Sequence, residues 1–311
     1  MWLACCNPEH DEKASSKTAA REKECILARN SITVLTKNQE KLIRSLSVRK
    51  NRKKTGLLVA EGMKLVTDFL NSGLVAENIF VVDSADAQEI TGPIEWISEA
   101  EMKRITFLET PSPVLAVFQV PQPDELDWAG MVLVLDRLQD PGNVGTLLRS
   151  ALWYGITNVV TLTGTADCWS PKVVQSSMSA LAHLKVHPMD EGEFLSKVKE
   201  AGAQLVIADM AGTPARGFNW TQKTALVLGN EGQGVSPVLK EMRDATITLP
   251  GDASKMESLN VAVSGATLLY EYAISQALLC TEGSIRHLRL PWRFPKTSFR
   301  SGRSRRVGCP K

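Results

Sequence analysis

From residue 131 onward, short uninterrupted apolar runs alternate with amphipathic stretches, separated by glycine and proline. Met131 to Asp136 (MVLVLD) reads as a buried strand, Val144 to Tyr154 as a helix closed by Gly155, and Thr157 to Thr163 as a second strand. A helix over Pro171 to His183, a helix over Glu191 to Ala201 ending at Gly202, and a strand over Gln204 to Asp209 follow. The runs TALVLG and ATITLP and a final helix over Asn260 to Leu279 complete the series. Continuous apolar strands with helical crossovers imply an α/β domain whose parallel sheet is covered on both faces.

Upstream, the segment Asn38 to Pro121 predicts a separate small α/β unit. It holds a helix over Gln39 to Arg49, a strand over Gly56 to Ala60, a helix over Gly62 to Ser72, a strand over Asn78 to Val82 and a closing run, Val114 to Val120. Pro121 to Gly130 (PQPDELDWAG) reads as a linker, since proline and acid clusters rarely sit inside elements. The organisation expected is therefore a disordered extension over 1–37, a unit over 38–121, a second over 131–279 and a basic disordered tail over 280–311.

Length and composition agree with this division. The 311 residues leave room for two domains, and 43% apolar content supports substantial cores. No apolar run reaches the roughly 18 residues of a membrane span, so a soluble intracellular protein with no membrane partner is expected. Residues 1–29 carry Glu9, Asp11, Glu12, Glu22 and Glu24 and no apolar core, which argues against a secretory signal or transit peptide and leaves cytoplasm and organelle open. Cys5, Cys6, Cys25, Cys168, Cys280 and Cys309 form no CxxC pair, which points to reduced thiols and neither a disulfide framework nor a zinc site. His183 and His187 are four apart, but the helix is expected to end between them, so they read as ordinary histidines and no metal site is expected.

The net charge of +2 is unevenly spread. From Thr281 onward nine basic residues face one acid, a balance of +8 that leaves −6 for the rest. A second basic cluster, Arg44, Arg49, Lys50, Arg52, Lys53 and Lys54, puts six cations in eleven residues without an acid. Such runs are usually solvated faces, and they become phosphate contacts when the neighbouring domain handles nucleic acid.

Three polar, glycine-bearing segments interrupt the second unit. In the first, Asp140-Pro141-Gly142-Asn143 forms a turn, Asn143 suits the cap of a helix starting at Val144, and Arg149 lies on that helix near the carboxyl ends of the strands. The second, Gly229-Asn230-Glu231-Gly232-Gln233-Gly234, follows a buried strand, and its glycines permit close backbone approach to a ligand. Its spacing is neither GxGxxG nor GxxxxGK[ST], and its acid would repel a polyphosphate, so a neutral or cationic ligand fits better. Glu231 serves equally well as a structural or a catalytic group. In the third, Glu257-Ser258-Leu259-Asn260 opens the last helix, where Ser258 or Asn260 can cap it.

In order and spacing these segments resemble the three signature motifs of the SpoU family of 2′-O-ribose RNA methyltransferases: Asp-Pro-Gly-Asn-x-Gly-x-x-x-Arg, Gly-x-Glu-Gly, and Ile-x-x-Pro followed by Ser-Leu-Asn-Val. The resemblance spans about Met131 to Leu279. Upstream, Val59-Ala60-Glu61-Gly62 and the run from Thr110 to Ala116 look like the RNA-binding domain that often precedes it. The resemblance implies a SPOUT fold with a C-terminal trefoil knot and S-adenosylmethionine held by backbone groups of Gly229, Leu249 and Leu259. It implies Arg149 at the reacting ribose, with Asn143, Glu231, Ser258 and Asn260 around it, and a homodimer built on the last helix. The partner implied is ribosomal or transfer RNA, with the Arg44 to Lys54 cluster on its phosphates. Gln175-Ser176-Ser177-Met178-Ser179-Ala180 departs from the Arg-Ala-Ser-x-Gly-Ala common in the family. A non-catalytic RNA-binding protein of the same fold is the alternative reading.

Overall fold

Met131–Leu135 is buried along its whole length, and Val159, Val160 and Ala225 to Leu228 are equally dry. Strands of this kind pair only inside a sheet covered on both faces. The computed structural model places them there. It describes residues 34–281 except 84–86, 88–89, 253 and 257, so almost all of the N-terminal extension and the basic tail lie outside the described residues.

The second sheet contains β5 (Met131–Leu135), β6 (Asn158–Leu162), β7 (Lys185–Met189), β8 (Gln204–Pro214), β9 (Thr224–Leu228) and β10 (Ala245–Thr248). Their order is β10-β8-β9-β5-β6-β7, and every pairing is parallel. Helices α5 (Pro141–Trp153), α6 (Pro171–Ser176), α7 (Glu191–Ala201), α8 (Pro237–Met242) and α9 (Val261–Thr281) accompany it. One apolar cluster holds Leu133, Leu147, Leu148, Val173, Leu268 and Leu269, and another on the opposite face holds Val134, Phe194, Leu205 and Val227.

The first unit is a four-stranded mixed sheet, ordered β1 (Leu57–Glu61), β4 (Val114–Gln119), β2 (Ala76–Val82) and β3 (Ile94–Ile97). It carries α1 (Lys37–Ser45), α2 (Arg49–Thr55), α3 (Met63–Asn71) and α4 (Glu99–Ile105). The two units share a continuous core: Leu58, Val66 and Phe118 belong to the same cluster as Val173 and Ala180. The segment 121–130 has no regular structure, yet Leu126 and Trp128 pack on the second core and Lys185 pairs with Asp124 at 3.1 Å. It is a docked connection, not a free linker.

Several expectations are corrected. The helix expected over Gln39 to Arg49 ends at Ser45, and the last five cations of the run lie on a separate helix, α2, which Gly56 closes in the left-handed region at φ 68°. Three cations in the last turn suit the negative end of the helix dipole. The helix foreseen over Pro171 to His183 stops at Ser176: Met178 takes φ 53°, and a 3-10 turn follows over Met178–Ala182. Ser179, where the family pattern has glycine, uses its hydroxyl to bond Asp68 of α3 and so joins the two units.

Candidate active site

Asp140, not Asn143, caps α5. Its carboxylate accepts from Asn143 N at 2.7 Å, and Pro141 occupies the first helical position, where no N–H is needed. Asn143 is thereby placed inside the first turn with its side chain directed outward, contrary to the expected cap. Its Nδ2 donates to Glu231 Oε1 at 3.0 Å, and its Oδ1 accepts from Asn260 Nδ2 at 3.1 Å. Asn260 Oδ1 in turn caps α9, accepting from Ala262 N at 2.8 Å and Val263 N at 3.4 Å. One hydrogen-bonded row, Glu231–Asn143–Asn260, thus joins loops separated by 88 and 117 positions in sequence.

The loop carrying Glu231 is rigidly built. Asn230 and Gly234 exchange backbone bonds at 3.1 and 2.8 Å, while Asn230 Oδ1 accepts from Gly232 N and Gln233 N, both at 3.0 Å. Gly229 is required for a reason other than the one its sequence suggests. A Cβ there would collide with the backbone of Gly234 and Val235, so the glycine admits the chain's own returning loop rather than a ligand. Gly145 has a similar role, since a Cβ would strike Ser176 where α5 crosses α6.

Arg149 lies on the third turn of α5, four residues after Gly145 and therefore on the same side of the helix. It is exposed and, among the described residues, makes no hydrogen bond or ion pair. Ser258 and Leu259 are exposed in the loop before α9, and Leu259 has no backbone hydrogen bond among the described residues. Leu249 is half-buried against the main core. The row therefore gathers three of the five expected catalytic side chains and leaves Arg149 and Ser258 outside it.

The sequence reading missed the support under this loop. Asp136 is fully buried and accepts from Ser236 N at 2.6 Å and Arg137 Nε at 3.0 Å. Thr165 donates to Leu135 O at 2.8 Å and accepts from Arg137 N at 3.0 Å. A charged pair directly after five buried apolar residues, at the carboxyl end of a central strand, was the available signal.

The expected RNA-binding cations separate into two groups. Arg44, Lys50, Lys53 and Lys54 are exposed, and Arg49 is exposed with Nη1 donating to Thr165 O at 3.4 Å. Arg52 is only 4% exposed, donates to Leu46 O at 2.6 Å and pairs with Asp167 at 2.7 Å, so it cannot reach a phosphate and is withdrawn from the set. Cys168 beside it is no nucleophile, because burial pushes its thiol up to about 12. His187 is buried on β7 against Asn158 Oδ1 at 3.3 Å.

Comparison with known proteins agrees with this geometry. Residues 130–270 match the SpoU rRNA Methylase family, and residues 37–116 match the MRM3-like substrate binding domain. The 23S rRNA (guanosine(2553)-2'-O)-methyltransferase RlmP of Bacillus subtilis is 34% identical over 244 residues, which is 75% of this chain and 96% of that protein. The chain belongs to the SpoU family. Among solved structures, a TrmH-family RNA methyltransferase from Porphyromonas gingivalis superposes with a TM-score of 0.71 at 36% identity, covering 77% of this chain and 98% of that one. The AdoMet-bound rRNA methyltransferase of Sinorhizobium meliloti gives 0.70 at 27% identity, covering 78% and 97%. In this SpoU chain, the Glu231–Asn143–Asn260 row joins the three family motifs.

Proposed function

We propose that this chain methylates a ribose 2′-OH in ribosomal or transfer RNA, with S-adenosylmethionine as donor. The observation that carries the reading is the Glu231–Asn143–Asn260 row, with Arg149 exposed on the same helix as Asn143 and without a hydrogen bond or ion pair among the described residues. Residues present fit the cofactor. Leu259 offers backbone groups that are unbonded among the described residues, Leu249 an apolar wall and Glu231 a carboxylate suited to a cation. Leu249, Leu259 and the backbone of Gly229, whose Cβ side faces Gly234 and Val235, would hold it, and when bound it supplies an electrophilic methyl group on a sulfonium. Arg149 polarises the 2′ oxygen, since a guanidinium donates hydrogen bonds and does not act as a base. The hydroxyl proton leaves to a phosphate of the RNA itself. The trefoil knot around Leu249 to Asn260 and the assignment of residues 38–121 as substrate-binding unit belong to this same reading.

Incubating the purified chain with methyl-labelled S-adenosylmethionine and total RNA tests it. The expected product is label in dinucleotides that survive alkali, because a 2′-O-methyl group removes the hydroxyl that alkaline cleavage needs. Label confined to bases, or none at all with intact cofactor binding, rejects it.

RNA is held through the exposed cations of the first unit. Neutralising Arg44, Lys50, Lys53 and Lys54 should weaken binding alike for all sequences and lower the slope of log K against log salt by about 0.7–0.9 for each phosphate no longer neutralised. An unaltered slope returns them to a solvated face.

The protein acts as a homodimer. On α9, Ala262, Leu268, Leu269 and Tyr272 face the chain's own core, whereas Val263 and Tyr270 are 54% and 46% exposed. Tyr270 also meets Tyr154 edge-on at 6.1 Å, extending the apolar surface to the end of α5. A helix apolar on both sides calls for a second partner. Tyr270→Glu should yield monomers that bind cofactor poorly. Light scattering that finds the wild-type chain monomeric and active at micromolar concentration would refute this.

A further inference from the structure

Arg137 holds a backbone conformation that side-chain-bearing residues rarely adopt, φ 58°, directly after the buried Asp136. Three segments converge on it. Its Nε donates to Asp136 Oδ1 at 3.0 Å, its Nη1 to Gln233 Oε1 at 3.2 Å and its Nη2 to Gly234 O at 3.3 Å. Its carbonyl accepts from Asn230 Nδ2 at 2.8 Å, and its N–H donates to Thr165 Oγ1 at 3.0 Å. The aliphatic part of its side chain lies under Gly164, where an added Cβ would come within 3.0 Å of Cγ.

These bonds bracket Glu231. Asn230 before it is fixed to the Arg137 carbonyl, and Gln233 and Gly234 after it are fixed to the Arg137 guanidinium. The place from which Glu231 reaches Asn143 is therefore set from below by one residue that itself stands apart from the row. We infer that Arg137 is a positioning residue: it sets the 229–234 loop for cofactor binding and methyl transfer without touching either reactant. The inference rests on the functional reading above. The strained φ is maintained because the guanidinium is held by Asp136 and by Gln233 and Gly234 of the 229–234 loop, and without them the conformation has nothing to hold it except the Thr165 and Asn230 bonds.

Arg137→Gly separates backbone from side chain, since glycine takes positive φ freely while the clamp is removed. The expected result, measured at a temperature where the variant is folded, is unchanged RNA affinity with cofactor Kd raised about tenfold and kcat lowered by a similar factor; the melting temperature falls, because buried Asp136 loses its ion pair. Arg137 also borders a cavity of about 520 Å³ lined with Gln233, Val235, Pro237, Lys240 and Glu241, which leaves room for a small guanidinium to enter. Millimolar methylguanidinium should restore part of the affinity in Arg137→Gly and do nothing to the wild type, a response that a merely structural role would not give. Wild-type cofactor Kd and kcat in Arg137→Gly overturn the inference, as does loss of RNA affinity with cofactor Kd intact, which would make Arg137 a substrate contact. If the wild type binds S-adenosylmethionine but methylates no RNA, the functional reading fails, while the calorimetric Kd comparison still decides the role of Arg137.

Discussion

Replacing Arg149 by alanine removes methyl transfer, lowering kcat by about 10²–10³-fold, as loss of one preorganised donor to a developing charge does. Melting temperature and S-adenosylmethionine affinity stay at their wild-type values. Both halves of this expectation come from where the side chain sits. Arg149 is exposed on the third turn of α5 with no partner among the described residues, so alanine removes no packing and strands no buried group. Substitutions at such positions usually change stability by less than about 0.5 kcal/mol. The helix itself is held by Val144, Leu147, Leu148 and Ala151, all buried, and by the Asp140 cap. Arg149→Lys keeps the charge but not the planar fork and should recover only part of the rate. Weakened cofactor binding together with retained turnover would sink the assignment.

The parallel sheet was legible because Met131–Leu135 and the Ala225 to Leu228 stretch of β9 are buried on both faces and carry unbroken apolar sequence. β7 was not, for its Lys185, His187 and Pro188 read as polar punctuation. They are tolerated because β7 is the edge strand, where proline removes no needed ladder bond. α2 was illegible for a related reason: seven residues rich in Lys and Arg show no apolar period, and capping and dipole terms decide their conformation. In the site, the three motifs were recognisable by resemblance, but neither the bonds between Asn143, Glu231 and Asn260 nor the φ of Arg137 can be read from spacing. Those depend on loops brought together by the sheet. Asn143 shows the limit well, because both Asp140 and Asn143 are good cap residues and only the position of Pro141 settles which is used.

Arg52 gives the sharpest division between a sequence reading and a structural one. As the fourth of six cations in one run it is indistinguishable from its neighbours, yet it is buried and its only carboxylate partner among the described residues is 115 positions away. Nε and Nη2 both donate to Asp167 Oδ2, at 2.9 and 2.7 Å, and Nη1 donates to Leu46 O at 2.6 Å. Asp167 also accepts from Trp169 N at 3.1 Å, so the pair fastens α2 to the loop whose Thr165 bonds Arg137 at the candidate site. Breaking a buried pair from one side costs about 3–5 kcal/mol, because the remaining charge loses its compensation. Asp167 keeps 16% exposure, which places Arg52→Ala near the lower end of that range. At roughly 2–4 °C per kcal/mol for a protein of this size, the melting temperature should fall by about 6–12 °C. Arg52→Ala combined with Asp167→Ala should recover part of the loss, since the uncompensated carboxylate is then gone. The salt dependence of RNA binding, measured at a temperature where the variant is folded, should be unchanged. An unaltered melting temperature with a flatter salt slope would return Arg52 to the phosphate-binding set and remove it from the junction between the two units.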